Sequence, residues 1–478
     1  MLFNSFDFAL FLPIVFITYW LIPSKKINLQ NAFIVLASYF FYGCWDWRFL
    51  SLIIFSTVLD YTIGIYLNNE KSKKKRKALL WLSIIVNLGF LAVFKYYNFF
   101  IDNFVEVFSI FGIKLNITSL QIILPVGISF YTFQTLSYTI DVYKNKLNPT
   151  KNFFAFSAFV SFFPQLVAGP IERATNLLPQ FHFKRTFNYN KAIDGLRQIL
   201  WGLFKKIVIA DNCAEYANYI FNNSEQFNGS TLFLGAIFFA FQIYGDFSGY
   251  SDIAIGTSRL FGFHLKQNFA FPYFSRDIAE FWRRWHMSLS TWFRDYLYIP
   301  LGGSKGSTVK KIRNVFIIFI VSGFWHGANW TFIAWGTINA LYFLPLMLFN
   351  KNRRNTNIVA EGKLLPTFSE ILSIVITFSI TVLAWIFFRA ENISHAFGIL
   401  NKIFSSSFLS VPQKKPIELF YLIIFFLIIE WLGREKQYAL ENLQLKWNVI
   451  SRWFFYLTII VLIYFFNGQQ QEFIYFQF

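Results

Sequence analysis

Apolar stretches of membrane-spanning length recur along nearly the whole chain, and they confine it to one environment. A helix that crosses a bilayer needs about 20 mostly apolar residues. Segments near 7–22, 31–46, 48–67, 79–98, 119–140, 153–168, 231–250, 314–330, 331–349, 369–388, 416–432 and 452–466 meet or approach that length. Another, near 195–211, carries Lys205 and Lys206 and is expected to lie partly at the interface. The fold class is an all-α polytopic membrane protein, with about 11 transmembrane helices plus re-entrant or interfacial pieces. Composition points the same way. The 478 residues include 66 Phe, and only 14% are charged. Water-soluble domains carry roughly 25% charge and cannot bury so many aromatic rings.

The net charge of +18 is dispersed between apolar segments, so it argues for orientation in a membrane and not for nucleic acid. Lys25 and Lys26, the run Lys71 to Lys77, Lys144 to Lys151, Lys305 to Arg313, and Lys351 to Arg354 are the basic clusters. An N-terminus outside the cell makes the first two cytoplasmic, and the last two as well when the spans are counted from 314. The first apolar segment lacks a basic leader and a small-residue cleavage site, so it is expected to stay in the mature protein. No soluble domain and no fixed-period repeat interrupts the chain. It reads as one integral-membrane domain over 1–478. Its two cysteines, Cys44 and Cys213, have no metal-ligand spacing.

Chemistry is sought among the few polar residues at membrane depth. His326 lies in Ser322-Gly323-Phe324-Trp325-His326-Gly327-Ala328-Asn329-Trp330. An ionisable group there is costly and is a functional candidate by default. Gly323 and Gly327 share a helix face and permit close approach of a neighbour. His286 lies in Phe281-Trp282-Arg283-Arg284-Trp285-His286-Met287-Ser288-Leu289-Ser290-Thr291-Trp292-Phe293-Arg294-Asp295. Helical periodicity puts Trp282, Trp285, Leu289, Trp292 and Phe293 on one face and Arg283, Arg284, Arg294 and Asp295 on the other. This pattern predicts an amphipathic interfacial helix with a basic outer face. A third cluster, Gln242 to Asp252, contains Asp246, Ser248 and Asp252 where the span from 231 is expected to end. Its glycines suggest a kinked or re-entrant backbone. Asp246 and Asp252 are not on one helical face, so capping or cavity lining is favoured over paired acid-base work.

Taken with Pro125-Val126-Gly127-Ile128-Ser129-Phe130-Tyr131-Thr132-Phe133-Gln134, the Pro164–Arg173 stretch and the closing Phe473-Ile474-Tyr475-Phe476-Gln477-Phe478, these motifs resemble the membrane-bound O-acyltransferase family, in its bacterial alginate O-acetylation branch. The resemblance implies tilted helices around a transmembrane tunnel, entered by the acyl donor from the cytoplasm. It makes His326 the family's intramembrane histidine and His286 the second histidine of bacterial members. Acyl transfer to a hydroxyl needs a base that is neutral near the operating pH, which suits histidine. Two roles stay open for each helper: Asn329 orients His326 or stabilises the oxyanion, and Arg283 and Arg284 attract donor phosphates or lipid headgroups.

The expected donor is acetyl-CoA or an acyl-carrier thioester, with no bound cofactor and no metal. The expected acceptor is an extracytoplasmic polysaccharide, reached directly or, preferably, through a periplasmic or extracellular acetyltransferase partner. The exposed aromatic C-terminus is the expected docking element. The expected location is the cytoplasmic (inner) membrane, among its lipids. The competing reading is a lipid-linked glycan flippase or transporter. It would favour a broad charged cavity or repeated halves.

Overall fold

The computed structural model describes residues 1–115, 117, 119–120, 122–167, 169–441, 447–468 and 471–474, and among them every regular element is helical. Packing divides the chain into two compact units, Met1–Ala192 with Thr257–Leu265, and Ile193–Gly256 with Lys266–Phe478.

The first unit holds α1 (Phe6–Leu21), α2 (Ile27–Asp46), α3 (Leu50–Asn69), α4 (Lys73–Leu91), α5 (Tyr97–Ile110), α6 (Ile128–Tyr143), α7 (Phe153–Ser161), α8 (Phe163–Leu166) and α9 (Ala174–Leu177). A buried carboxylate ties three of these helices together. Asp60 on α3 accepts from Ser83 Oγ and Asn87 Nδ2 on α4 and from Thr139 Oγ1 on α6. Asp60→Ala leaves three buried donors without their acceptor, each costing about 1–3 kcal/mol. We expect a clear loss of thermal stability in detergent, and a smaller one for Asp60→Asn, which keeps one carbonyl acceptor. Equal stability of all three proteins would contradict this account.

Helix α6 begins later than the apolar run from 119 suggests. Gly127 adopts φ 75° just before it, and a Cβ there would lie 2.8 Å from Leu166 O. Only glycine accepts both that angle and that contact without strain. The expected span 153–168 is likewise broken, because Pro164 starts a separate short turn, α8.

The second unit holds most of α10 (Tyr189–Leu203) and α12 (Gly229–Leu260), all of α11 (Asp211–Asn222), and α13 (Ile278–Arg284), α14 (Met287–Phe293), α15 (Thr308–His326), α16 (Trp330–Leu348), α17 (Phe368–Arg389), α18 (Ile393–Ile403), α19 (Ile417–Gly433) and α20 (Val449–Phe465). Helix α12 does not end at its Asp- and Gly-rich stretch, as the sequence suggested. It runs unbroken for 32 residues. Its glycines serve contact: a Cβ at Gly249 would lie 2.8 Å from Gly202 O on α10.

Lys205 and Lys206, expected to lie partly at the interface, are buried inside the protein. They sit on a π-helical turn, Phe204–Ala210, with their side chains 4% and 1% exposed. Lys205 Nζ is 2.5 Å from Asp252 Oδ2, and Lys206 Nζ is 2.8 Å from both Asp211 and Asp246. Buried charges persist when each has a partner within contact. The acidic cluster on α12 is thus the counter-charge of the lysine turn.

Among the described residues, five helical stretches are long and apolar enough to cross a membrane, Ile27–Asn69, Lys73–Ile110, Gly229–Leu260, Trp330–Leu348 and Phe368–Arg389. Phe6–Leu21, Phe153–Leu166 and Val449–Phe465 are shorter apolar helices. Of α20 only Ile459 is buried, while Trp453, Phe454, Tyr464 and Phe465 are exposed. Such an outward apolar surface is suited to lipid, not water.

Candidate active site

The two histidines singled out by the sequence line one cavity of about 600 Å³ in the second unit. His326 is the last residue of α15. Helices α15 and α16 form an antiparallel hairpin that glycines draw tight, since a Cβ at Gly323 would overlap Phe332 O and one at Gly336 would overlap Phe319 O. This close crossing sets the His326 ring among aromatic walls. Trp325, Trp335 and Phe388 lie 4.9, 5.2 and 5.2 Å from it by ring centres. The imidazole is 4% exposed.

His286 sits where the expected amphipathic helix breaks. The single interfacial helix over Trp282–Asp295 is not formed. Instead α13 ends at Arg284, α14 starts at Met287, and His286 between them adopts φ 41° and ψ 55°. A non-glycine residue in the left-handed region is uncommon and needs support from its surroundings. A neighbouring segment supplies it. Ala270 N–H donates to Arg284 O at 2.9 Å, and Met287 N–H donates to Asn268 O at 2.8 Å. The break also explains why Trp285, His286, Trp292 and Phe293 are all buried and none anchors a surface helix.

Asn268 also fixes the imidazole. Its Nδ2 donates to Ser251 Oγ at 3.0 Å, and its Oδ1 accepts from Ser288 Oγ at 2.8 Å. The same Oδ1 lies 3.1 Å from His286 Nδ1. An amide oxygen only accepts, so this arrangement assigns the proton to Nδ1 and makes Nε2 the basic nitrogen. Trp325 lies 6.2 Å from His286 by ring centres and 4.9 Å from His326, and so contacts both rings. Asn268→Ala is expected to lower kcat about tenfold, or about 1.4 kcal/mol of barrier, with Asn268→Gln failing to restore it because its longer arm misplaces the oxygen. Steady-state thioester turnover checks this, and a wild-type rate would exclude the orienting role.

The cavity has a basic end. Lys311 lies in the first turn of α15, and Asn350, Asn352 and Arg353 follow α16, so the antiparallel hairpin puts them together. Arg294 and Ser304 also line the cavity. Fifteen residues separate Lys311 from His326, a helical rise of roughly 22 Å. The cavity is therefore cationic far from His326 and aromatic beside it.

The other predicted residues are placed differently. Arg283 is exposed, as expected, but it is tied to a neighbouring segment. It donates to Asn352 O at 2.8 Å and Asn355 O at 2.7 Å. Arg284 pairs with Glu280 at 2.9 Å and donates to Asn357 O at 3.1 Å. Both arginines thus hold the segment that presents Asn352 and Arg353 to the cavity. Asn329 caps α16, accepting from Thr331 N–H at 2.9 Å, and its Nδ2 donates to Glu391 O at 2.9 Å. Those bonds engage both ends of its amide at the start of α16. Asp246 and Asp252 belong to the lysine cluster, and Ser248 is buried on the same helix. None of these six residues lines the cavity.

Sequence reasoning missed Asn268, Lys311, Arg353 and Arg294 as site residues. Asn268 lies in a plain polar loop with no motif. Lys311 and Arg353 were legible only as topology charges. The expected exposed aromatic C-terminus is also corrected in part: Phe473 and Ile474 are 0% and 1% exposed. Residues 475–478 lie outside the described residues.

Comparison with known proteins identifies the family. The membrane-bound O-acyltransferase family pattern matches residues 144–388, which include both histidines. The chain is 38% identical over 454 residues to the "Probable alginate O-acetylase AlgI" of Pseudomonas aeruginosa, covering 93% of this chain and 84% of that one. It is 35% identical over 430 residues to the peptidoglycan O-acetyltransferase of Helicobacter pylori, covering 84% and 79%. It is 30% identical over 324 residues to the teichoic acid D-alanyltransferase of Streptococcus thermophilus, covering 61% and 75%. An all-helical membrane chain whose buried histidines share one cavity, with these relatives over most of its length, belongs to the membrane-bound O-acyltransferase family and is an acyltransferase.

Proposed function

We propose that this acyltransferase moves an acetyl group from a cytoplasmic thioester, acetyl-CoA or an acyl carrier, towards a hydroxyl of an extracytoplasmic polysaccharide. The observation that carries this reading is the polarity of the cavity, with cationic groups at one end and His326 at the other. Phosphate groups of a thioester donor match Lys311, Arg353 and Arg294. The extended pantetheine arm then reaches towards the histidines. The relatives named as alginate and peptidoglycan acetyl-transferring enzymes support a glycan as final acceptor. An extracytoplasmic acetyltransferase partner completes delivery, and the protein resides in the cytoplasmic membrane with its N-terminus outside. The transporter alternative is disfavoured by the family and by a cavity built around two histidines.

The step is a simple exchange. The acceptor hydroxyl loses its proton to His326 as its oxygen bonds to the acyl carbon. The carbon–sulfur bond breaks, and the departing thiolate takes up a proton from the imidazolium. His286, which lines the same cavity, positions the thioester. Aromatic walls exclude water and so limit hydrolysis.

The test is ester-linked acetate on purified envelope and secreted polysaccharides. Intact cells, a deletion, and a deletion carrying His326→Ala at matched protein level are compared. Acetate lost on deletion and not restored by the variant supports the reading. Acetate unchanged in all three contradicts it. The donor half is tested separately. Lys311→Gln/Arg353→Gln is expected to raise the donor KM about tenfold with little change in kcat, the mark of lost ground-state binding. A changed kcat at constant KM would place these residues elsewhere in the cycle.

A further inference from the structure

We propose that the C-terminal segment is a positioning element for His286, latched onto the buried Lys206–Asp246 pair. The inference rests on the functional reading of His286 given above. The segment is pinned on both sides of Phe473 by the two halves of one ion pair. Gln471 O accepts from Lys206 Nζ at 3.1 Å, and Ile474 N–H donates to Asp246 Oδ2 at 2.7 Å. Lys206 and Asp246 are themselves 2.8 Å apart. Backbone groups of the segment, not its side chains, make both bonds. The latch therefore fixes where Phe473 stands.

Phe473 transmits that placement. Its ring lies 4.3 Å from Tyr250 and 5.9 Å from Phe247 by ring centres, both on α12. Phe247 meets the His286 ring edge-on at 4.6 Å and 84°. Phe269 lies on the imidazole as well, at 6.2 Å, and also 5.0 Å from Phe247. The imidazole is thus held by Asn268 through Nδ1 and by the Phe247–Phe269 pair around its ring. The rotamer of Phe247 is backed by Phe473. Packed aromatic interiors transmit small displacements because they have few voids to absorb them. Removing Phe473 opens a void behind Phe247 and loosens the aromatic restraint on His286. Burial of Phe473, at 0% exposure, places it within the packed interior.

The test is a double-mutant cycle on the full-length protein in detergent, with acetyl-CoA as donor, the cell-envelope fraction as acceptor and thiol release as readout. Phe473→Ala is expected to reduce kcat about tenfold with donor KM changed less than about twofold, and Phe473→Leu to recover most of it. His286→Ala with Phe473→Ala is expected to be no slower than His286→Ala alone, because a residue that acts through His286 has nothing left to position. The tail is not a positioning element if Phe473→Ala leaves kcat unchanged in folded protein. An effect of Phe473→Ala that multiplies with that of His286→Ala overturns the proposal equally, since the two residues would then act independently.

A second measurement is independent of turnover. In protein labelled with ¹⁵N-histidine, the His286 ring signal is identified by its loss in His286→Ala. It is expected to shift in Phe473→Ala and to return in Phe473→Leu. An unmoved signal overturns the proposal. Should His286→Ala turn over at the wild-type rate, the functional reading of His286 fails while this signal still decides whether the tail positions the ring.

Discussion

His326→Ala is expected to lower kcat for acyl transfer by about 10²–10⁴-fold, the span typical for removing a positioned general base. That corresponds to roughly 3–5 kcal/mol of lost transition-state stabilisation. Geometry singles out this residue for the largest kinetic effect. The ring terminates α15, lines the cavity, and is enclosed by Trp325, Trp335 and Phe388. The aromatic shell keeps bulk water from competing with the acceptor hydroxyl at the ring. The variant protein should still fold, because the α15–α16 crossing is made by backbone contacts at Gly323 and Gly336, not by the imidazole. His326→Gln keeps much of the volume and a hydrogen-bonding group but no base, and should be as slow as His326→Ala. Purified protein, thiol release and acyl-product analysis measure all three. A His326→Gln rate near wild type would leave a packing or hydrogen-bonding role and remove the base assignment.

The contrast between the two histidines shows what a sequence discloses. His326 is legible because its cue is local: an ionisable residue inside an apolar run, with glycines close by on either side. Helices α1 to α4 and α15 to α17 are legible for the same reason, since length and apolarity are properties of a single segment. His286 is equally visible as a candidate, but its setting is not. The 3.6-residue periodicity from Trp282 to Phe293 is genuine, and no Gly or Pro marks a break. The break is imposed from outside by Asn268 and Ala270, which bond to Met287 and Arg284 across the loop. Long-range support of that kind leaves no pattern in the segment it reshapes. The same limit applies to the cationic end of the cavity. Lys311 and Arg353 are far apart in sequence and come together only because the hairpin α15–α16 is antiparallel.

Lys206→Met is expected to have the largest effect on stability. The sequence displays Lys205 and Lys206 as charges in an otherwise apolar run, which reads as an interface. It does not display their partners, Asp252 on one side and Asp211 and Asp246 on the other. In the folded unit Lys206 neutralises two buried carboxylates and holds the Gln471 carbonyl. Removing it leaves both carboxylates without their counter-charge in a low-dielectric interior. Breaking a buried pair from one side costs about 3–5 kcal/mol, a large part of the roughly 5–15 kcal/mol by which proteins are stable. Asp246→Asn should cost much less, because Lys206 keeps Asp211 and the amide oxygen still accepts. The triple change Lys206→Met/Asp211→Asn/Asp246→Asn should recover much of what Lys206→Met loses, since no bare charge then remains buried. Thermal unfolding in detergent, followed by the loss of the monodisperse peak, ranks the three variants. If Lys206→Met melts with wild type, the cluster is hydrated and the ion pairs carry little. If the triple variant is the least stable, packing and hydrogen bonding outweigh charge at this site. The predicted order, Asp246→Asn above the triple variant and Lys206→Met lowest, follows only if uncompensated burial of charge decides the outcome.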